Sequence, residues 1–165
     1  EEWKKEKRGE IWYIGDTYHV AIGQGDILVT PLQIATMMAT FANGGFRITP
    51  HLATALEDEG KKTVLAYPKP ERIIADDAVL QTMRRALRQT VLSGSARRLT
   101  TLPVSSAGKT GTAEGSGKFP HAWFAGFAPY EKPELAITVL IEEGEEGSRT
   151  AAEVARDFFQ WYFTK

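Results

Sequence analysis

The sequence contains no cysteine, which excludes thiolate metal sites, iron–sulfur clusters, thiol nucleophiles and disulfide bonds. It also lacks long apolar runs: the longest, such as residues 135–141, are far shorter than the roughly 20 residues of a membrane-spanning helix. Neither sign of charge dominates, since 20 Lys and Arg face 21 Asp and Glu. That balance gives no bulk attraction to nucleic acid or to a membrane surface. We therefore expect a soluble chain without a nucleic-acid partner.

The 165 residues have the composition of one globular domain, with 42% apolar and 25% charged residues. A chain of this length can bury a core without metals or disulfides. The three histidines, His19, His51 and His121, are widely spaced and lack a metal-ligand pattern, so we expect no metal and no cofactor. The sequence opens on Glu1 and a run of charged residues that is typical of the interior of a protein, so we expect a fragment.

Helix signals mark three segments. Thr30 offers a capping hydroxyl before Pro31, and residues 32–42 are apolar on nearly every side, which predicts a buried helix. Residues 76–77 cap a second, amphipathic helix, and a capping box at residues 150–153 opens a third. The predicted buried faces are Val79, Met83, Ala86, Leu87 and Val91 in the second helix, with Arg84, Arg85 and Arg88 outside, and Ala151, Val154, Ala155, Phe158 and Tyr162 in the third.

Extended runs separated by turn signals predict the strands. They are residues 46–50, 51–56 and 62–67, with a hairpin turn at 58–61, and then 104–114, 121–128 and 134–142 as three neighbouring antiparallel strands. Alternation places Trp123 and Phe127 on one face and Phe124 on the other. Residues 115–117, GSG, lack the outer glycines of a nucleophile elbow and predict a loop. This order of elements favours an α+β fold with an antiparallel sheet covered by helices.

The run with the most chemistry is residues 105–114, SSAGKTGTAE, in which a lysine, two hydroxyls and a glycine are adjacent. A phosphate-binding loop would need a glycine five residues before Gly108, where this chain has Pro103. The extended context instead favours an edge strand that binds a substrate chain, with Gly111 allowing close approach and Lys109 suited to a carboxylate. The alternative is an ordinary exposed strand edge protected by a lysine.

Lys-Thr-Gly at residues 109–111 is a triplet that β-lactamases and penicillin-binding proteins share. Three further stretches accompany it: GQGDILVTPLQIA at 23–35, FANGG at 41–45 and HAWFAGFAP at 121–129. Together they resemble class B penicillin-binding proteins, nearest to the elongation-type branch, over roughly residues 11–163. The resemblance implies that residues 1–165 are a C-terminal segment of a transpeptidase domain, with the fold of penicillin-binding proteins and serine β-lactamases.

The resemblance implies an acyl-serine enzyme that acts on the D-alanyl-D-alanine end of a peptidoglycan stem peptide and is acylated by penicillins. Lys109 would set a positive field beside the nucleophile and the substrate carboxylate, which the hydroxyls of Thr110 and Thr112 would bind. The Thr112 N–H would donate to the oxyanion. The candidate site residues are therefore Lys109 and Thr112 as catalytic groups, Thr110, Gly111, Thr112 and Ala113 as the substrate-binding edge, and His121 either as a border of the site or as a structural histidine.

The sequence departs from the family pattern at the nucleophile. The family carries an upstream Ser-x-x-Lys motif and then a Ser-x-Asn motif. No Ser-x-Asn occurs in this sequence, since its only asparagine, Asn43, follows Thr-Phe-Ala. Ser106 and Lys109 do spell Ser-x-x-Lys, yet residues three apart on a strand project to opposite faces, so we interpret this match as coincidence. We expect the chain to supply the Lys-Thr-Gly wall of the site and to be inactive alone.

The resemblance also implies partners and a location. The partners would be the stem peptide, β-lactams, the upstream half of the same domain, an elongation glycosyltransferase and rod-shape proteins. The parent protein would be anchored in the cell inner membrane, with this domain on the extracytoplasmic, periplasmic face. Two alternatives stay open, namely a segment of a serine β-lactamase and a non-catalytic module that binds peptidoglycan peptides or a protein partner.

Overall fold

The computed structural model describes residues 1–115 and 117–165; Ser116, in the loop predicted at 115–117, lies outside the described residues. The helices are α1 (Glu2–Arg8), α2 (Ile14–Ala21), α3 (Pro31–Ala42), α4 (Asp77–Leu92) and α5 (Thr150–Phe163), with a 3₁₀ helix at Arg97–Thr101. The strands are β1 (Phe46–Arg47), β2 (Ala55–Asp58), β3 (Lys61–Val64), β4 (Glu71–Arg72), β5 (Ala107–Ala113), β6 (His121–Ala128) and β7 (Leu135–Ile141). Across the described ranges, no helix is both long and apolar enough to cross a membrane.

The main sheet is antiparallel, with the strand order β5-β6-β7. Lys109 lies opposite Ala125, and Phe124 lies opposite Val139. β5 is at the edge, because β6 is its only partner among the described strands. The predicted hairpin forms between β2 and β3, with Glu59 and Gly60 at positive φ in the turn. Helices on an antiparallel sheet confirm the predicted α+β fold.

Helices cover both faces of the sheet, and the alternation of β6 decides what each face buries. Phe124 is fully buried in a cluster with Phe159 of α5 and Leu99 of the 3₁₀ helix. Phe127 is fully buried on the other face, against Met38 of α3 and Leu87 of α4. The predicted division of the aromatic residues between the two faces is therefore confirmed.

Helix α3 begins as predicted but is buried on one side only. The Thr30 hydroxyl accepts from the Gln33 N–H, and the Gln33 side chain accepts in return from the Thr30 N–H, which completes a capping box. Met38 is buried against the sheet, whereas Leu32 and Met37 are 60% and 42% exposed. The prediction of a helix buried all round was therefore wrong, because β6 and β7 cover a single face.

Helix α4 is capped by Asp76 as predicted, but its buried face is only partly the predicted one. The buried residues are Leu80, Arg84, Leu87 and Val91, of which Leu87 and Val91 were predicted, while Val79, Met83 and Ala86, which were predicted to be inside, are exposed. Arg84, which was predicted to be outside, is 92% buried. The physical reason is a set of backbone acceptors that only the folded chain brings together.

Those acceptors lie at the end of α3 and in the turn after β6. Arg84 Nη1 donates to the carbonyls of Phe41 and Ala42 at 2.9 and 2.8 Å, and Nη2 donates to the carbonyl of Tyr130 at 2.5 Å. The last carbonyls of a helix have no partner within the helix, so a guanidinium that satisfies them can be buried at low cost. Arg84 also stacks on the rings of Phe127 and Tyr130.

Helix α5 differs from the predicted capping box. Its N-cap is Arg149, and the hydroxyl of Thr150 donates to the carbonyls of Gly144 and Glu146. The buried residues are Ala151, Ala152, Ala155 and Phe159. Val154, Phe158 and Tyr162, which were predicted to be inside, are exposed. The alanines face the sheet because a small side chain allows the helix to approach the strands closely.

Candidate active site

The predicted site residues all lie on β5 or opposite it, but they divide between its two faces. Lys109, Gly111 and Ala113 lie opposite residues of β6 on the face that packs against α3. Thr110 and Thr112 lie on the face toward α5. Lys109 and Thr112 are exposed, whereas Thr110 is buried. The five predicted residues of β5, 109–113, therefore share the edge strand and not one face of the sheet.

The backbone of Thr112 points to the free edge of β5. Its carbonyl accepts a hydrogen bond from Gln24 Nε2, outside the sheet, at 3.2 Å. Because the N–H and C=O of one residue in an antiparallel strand point the same way, the Thr112 N–H also faces outward, and so do the backbone groups of Thr110. The edge offers donors and acceptors to an added peptide strand.

The ammonium group of Lys109 lies at this same edge. Lys109 Nζ donates to the carbonyl oxygen of Thr110 at 2.5 Å. None of the ion pairs in the described part of the chain includes Lys109. A positive charge therefore stands beside the outward-facing amide of Thr112, where it suits an anionic group of a ligand.

The two threonine hydroxyls point away from the Lys109 side chain. Thr110 Oγ1 is hydrogen-bonded to Ser95 Oγ at 2.5 Å, and Ser95 lies between α4 and the 3₁₀ helix. Thr112 Oγ1 accepts from the Gly147 N–H at 3.5 Å, a long and therefore weak hydrogen bond. The structure thus joins the Thr110 side chain to the scaffold and leaves the Thr112 hydroxyl only loosely held.

His121 begins β6, directly opposite Ala113 at the far end of the candidate edge. Its Nδ1 accepts from the backbone N–H of Glu143 at 3.1 Å, which assigns the ring proton of a neutral imidazole to Nε2. The backbone N–H of Glu145 donates to the carbonyl of Pro120 at 3.1 Å. His121 therefore lies where the loop between β7 and α5 is attached to the sheet.

Ser106 is fully buried just before β5 begins. Its hydroxyl has no hydrogen-bond partner among the described residues. Arg88 Nη1 donates to its backbone carbonyl at 2.7 Å, which fixes the chain at this point. No base is thus bonded to the Ser106 hydroxyl among the described residues, and a nucleophile requires one.

Two residues at the edge, Ser95 and Gln24, were not predicted from the sequence. Ser95 gave no signal, because a serine after a helix has many structural uses. Gln24 is in the GQG stretch that carried the family resemblance, but nothing in that stretch indicates an acceptor 88 residues away. Such pairs are set by tertiary structure and not by local pattern.

Comparisons with known proteins identify the family of the chain. The family model described as penicillin binding protein transpeptidase domain matches residues 2–160. The peptidoglycan D,D-transpeptidase MrdA of Acinetobacter baumannii is 36% identical, over 99% of this chain and 27% of that protein. The crystal structure of Pseudomonas aeruginosa PBP2 in complex with WCK 5153 has a TM-score of 0.86 and 35% identity, over 99% of this chain and 37% of that chain. The complex between PBP2 and MreC from Helicobacter pylori has a TM-score of 0.79 and 30% identity, over 98% of this chain and 30% of that chain.

The chain therefore spans only about a quarter to two fifths of the length of these relatives. The resemblance seen in the sequence is confirmed along nearly its whole length. These relatives are transpeptidases and penicillin-binding proteins, so the alternative of a β-lactamase segment is not favoured. Sequence, fold and edge geometry agree that the chain belongs to the penicillin-binding protein transpeptidase domain family.

Proposed function

We propose that residues 1–165 are the C-terminal segment of an elongation-type peptidoglycan D,D-transpeptidase domain and form the Lys-Thr-Gly wall of its active site. The observation that carries this proposal is the free edge of β5. Along it, the outward-facing backbone of Thr112 lies beside the Lys109 ammonium. An edge strand of this kind can bind an extended peptide and also stabilise negative charge at its carbonyl.

The reaction is acyl transfer through a serine of the upstream half of the domain. The serine oxygen bonds to the carbonyl carbon of the penultimate D-alanine, and negative charge develops on the carbonyl oxygen. The bond to the terminal D-alanine then breaks, and the serine proton passes to the departing amine. An amine of a neighbouring stem peptide attacks the acyl carbon, loses a proton and releases the serine with its hydroxyl restored.

The Thr112 N–H would donate to the oxyanion in both halves of this reaction. One well-placed donor of this kind lowers the barrier by about 2.7–4 kcal/mol. Lys109 would stabilise the substrate carboxylate and the charge that develops near the serine. Thr110, whose hydroxyl is bonded to Ser95, would offer its backbone groups at the edge, and the loosely held Thr112 hydroxyl would assist at the carboxylate. Gly111 and Ala113 would leave the edge open to the peptide, with His121 at its border.

The nucleophile is proposed to lie outside residues 1–165. Ser106 is fully buried and its hydroxyl contacts no base in the described part of the chain, which supports the interpretation of Ser106–Lys109 as a coincidental Ser-x-x-Lys. The Lys109 ammonium instead bonds the Thr110 carbonyl at the strand edge. We therefore expect this chain to be inactive until it is joined to the upstream half.

The partners follow from the same family membership. The stem peptide and β-lactams would bind at the β5 edge, and the parent protein would be anchored in the inner membrane with this domain on its periplasmic side. One similar structure is a complex of PBP2 with MreC, which supports rod-shape proteins as partners. An elongation glycosyltransferase is the further partner that the elongation-type assignment implies.

The decisive experiment is the intact mass after incubation with a labelled penicillin. It compares this chain alone with the completed domain, meaning this chain joined to the upstream segment of its own protein. We expect a stable adduct on the completed domain only, at an upstream serine, and a much slower adduct in Lys109→Ala. An adduct at Ser106 of the isolated chain would overturn the split-site mechanism.

Two other outcomes identify the alternatives. Rapid loss of the adduct, with many turnovers of penicillin, would indicate a β-lactamase. Binding of peptidoglycan peptides without any adduct on the completed domain would indicate a non-catalytic module. The stability of the acyl-enzyme over time separates all three functions in one experiment.

A further inference from the structure

The loop between β7 and α5, residues 142–149, passes next to the candidate edge, where Gly147 bonds the Thr112 side chain on the face of β5 toward α5. At Gly147 the loop backbone touches the backbone of β5 and β6. A Cβ built on Gly147 would stand 2.5 Å from the carbonyl oxygen of Trp123, and closer still to that of Gly111. Real Cβ atoms do not approach other atoms within 3.0 Å, so any side chain here would displace something.

The loop itself is held in several places and cannot easily retreat. The N–H of Glu145 donates to the carbonyl of Pro120 at 3.1 Å, and the Thr150 hydroxyl donates to the carbonyl of Gly144 at 2.7 Å. The Gly147 carbonyl accepts from the Ala152 N–H at 3.0 Å, in the first turn of α5, where Ala152 is fully buried. Movement of the loop would therefore pull on α5 and on the sheet.

The strands above the loop differ in how firmly they are held. β6 is bonded on both sides, to β5 and to β7, whereas β5 is bonded on one side only among the described strands. If a side chain is added at Gly147, we therefore expect the backbone of β5 at Gly111 and Thr112 to move before that of β6. Gly111 directly precedes Thr112, the residue whose amide faces the free edge.

We propose that Gly147 is a positioning residue of the active site. Because Gly147 has no side chain, the β5 backbone at Gly111 can lie close to the loop. This position of Gly111 in turn sets the direction of the Thr112 N–H. This inference rests on the proposed function, in which that N–H is an oxyanion donor. Gly147 acts on the site through β5, by its contact with the Gly111 carbonyl and by its weak hydrogen bond to the Thr112 hydroxyl.

The test variant is Gly147→Ala, and the matched control is Gly144→Ala in the same loop. A Cβ at Gly144 would crowd the side chain and the carbonyl of Ile141, which is the last residue of β7. Both variants add one methyl group to a buried glycine of one loop. Only Gly147→Ala presses on the candidate edge.

The first measurement needs no ligand. Amide chemical shifts and hydrogen exchange of residues 111–113 are recorded in the completed domain for the wild type and both variants. We expect Gly147→Ala to shift these amides and to speed their exchange, and Gly144→Ala to leave them near the wild-type values. Unchanged amides at 111–113 in a folded Gly147→Ala domain would overturn the inference.

The second measurement is the acylation rate by penicillin, separated from the affinity of the non-covalent complex. A misplacement of about 1 Å can cost about a hundredfold in rate, so we expect acylation in Gly147→Ala to be slower by about tenfold to a hundredfold. The dissociation constant of the initial complex should change much less. Equal losses in Gly147→Ala and Gly144→Ala would mean general damage to the loop and would contradict the proposal.

A second pair of variants covers the case in which Gly147→Ala does not fold. Thr150→Val removes the hydroxyl that ties the loop to α5 without adding bulk beneath β5, and Thr150→Ser keeps that hydroxyl. We expect Thr150→Val to slow acylation and Thr150→Ser to restore it, at similar thermal stability. If the wild type is not acylated at all, the proposed function fails, while the amide measurements still decide whether Gly147 positions the strand.

Discussion

Gln24 and Thr112 are 88 residues apart in the sequence, and the side-chain amide of the first donates a hydrogen bond to the backbone carbonyl of the second. This bond ties the N-terminal segment to the free edge of β5. A peptide that pairs with the edge would use the same carbonyl. Because a carbonyl oxygen has two lone pairs, Gln24 and a bound peptide can share it.

Replacing Gln24 tests whether this bond orders the N-terminal segment. In Gln24→Leu we expect faster amide exchange at residues 23–26 in the completed domain, while β6 keeps the exchange rates of the wild type. The matched control is Gln160→Leu, on an exposed position of α5. Unchanged exchange at residues 23–26 in Gln24→Leu would mean that other contacts hold the segment in place.

Replacing either of two glycines of β5 by alanine should damage a different property: stability at Gly108 and the acylation rate at Gly111. A Cβ at Gly108 would fall 2.6 Å from the Phe124 ring and 2.7 Å from the Ala125 carbonyl, whereas a Cβ at Gly111 would only touch Trp123 Cβ at 3.3 Å. We expect Gly108→Ala to lower the melting temperature strongly. Gly111→Ala should fold normally but be acylated more than about tenfold more slowly, because its methyl group narrows the approach to the edge. Melting curves and acylation rates are compared side by side, and normal acylation of Gly111→Ala would contradict the open-edge interpretation.

Arg84 and Arg85 are neighbours on α4 with very different surroundings. Arg84→Met would leave the carbonyls of Phe41, Ala42 and Tyr130 without their donor, and we expect a loss of about 2–4 kcal/mol in the free energy of unfolding. Arg85 is exposed, and within the described part of the chain it bonds only to Thr82 of its own helix, so Arg85→Met should change stability by less than about 0.5 kcal/mol. Urea denaturation of the completed domain measures both, and equal effects would show that the buried bonds contribute little.

The buried Lys4 predicts a pH dependence. Lys4 Nζ donates to both carboxylate oxygens of Asp16, at 2.9 and 2.8 Å, and this bond lowers the pKa of Asp16 and raises that of Lys4. A lowered folded pKa gives stability that is present above the unfolded value of about 3.9 and is lost as the pH falls through the folded value. Asp16→Asn should therefore melt at a lower temperature than the wild type at pH 7, and this difference should shrink below about pH 4.

The pH series needs a control in the same region. Arg8 pairs with Asp26 in a more exposed position, so Asp26→Asn should change the melting temperature little at any pH. The raised pKa of Lys4 acts at the other limit, where its contribution is lost only as the pH rises through the folded value. A difference between Asp16→Asn and wild type that stayed constant down to pH 2 would contradict a role for the ionised Asp16.

The parts of the fold that depend on neighbours in sequence were predictable. The cap by Thr30 at the start of α3 was predicted from the sequence and is confirmed, whereas the reciprocal bond from Gln33 was not predicted. The alternation along β6 likewise placed Phe124 and Phe127 on opposite faces. The strand order followed from short connections between apolar runs.

The parts that depend on distant groups were not predictable. Arg84 shares the helical spacing of Leu80 and Leu87, but its charge predicted an exposed side chain. The carbonyls of Phe41 and Tyr130 are what allow its burial. The Lys-Thr-Gly edge could be predicted from residue types, but the direction of its threonine hydroxyls depends on Ser95 and Gly147. Residue types thus indicated the chemistry, and long-range packing fixed the geometry.

The position of α3 along the chain has a consequence for synthesis on the ribosome. This helix is made before β6 and β7, the strands that cover its buried face. Met38 and its apolar neighbours therefore wait uncovered while α4 and the intervening hairpin are translated. Nascent chains that stop before β7 should therefore need protection from aggregation, and the synthesis of β7 completes the cover over the buried face of α3.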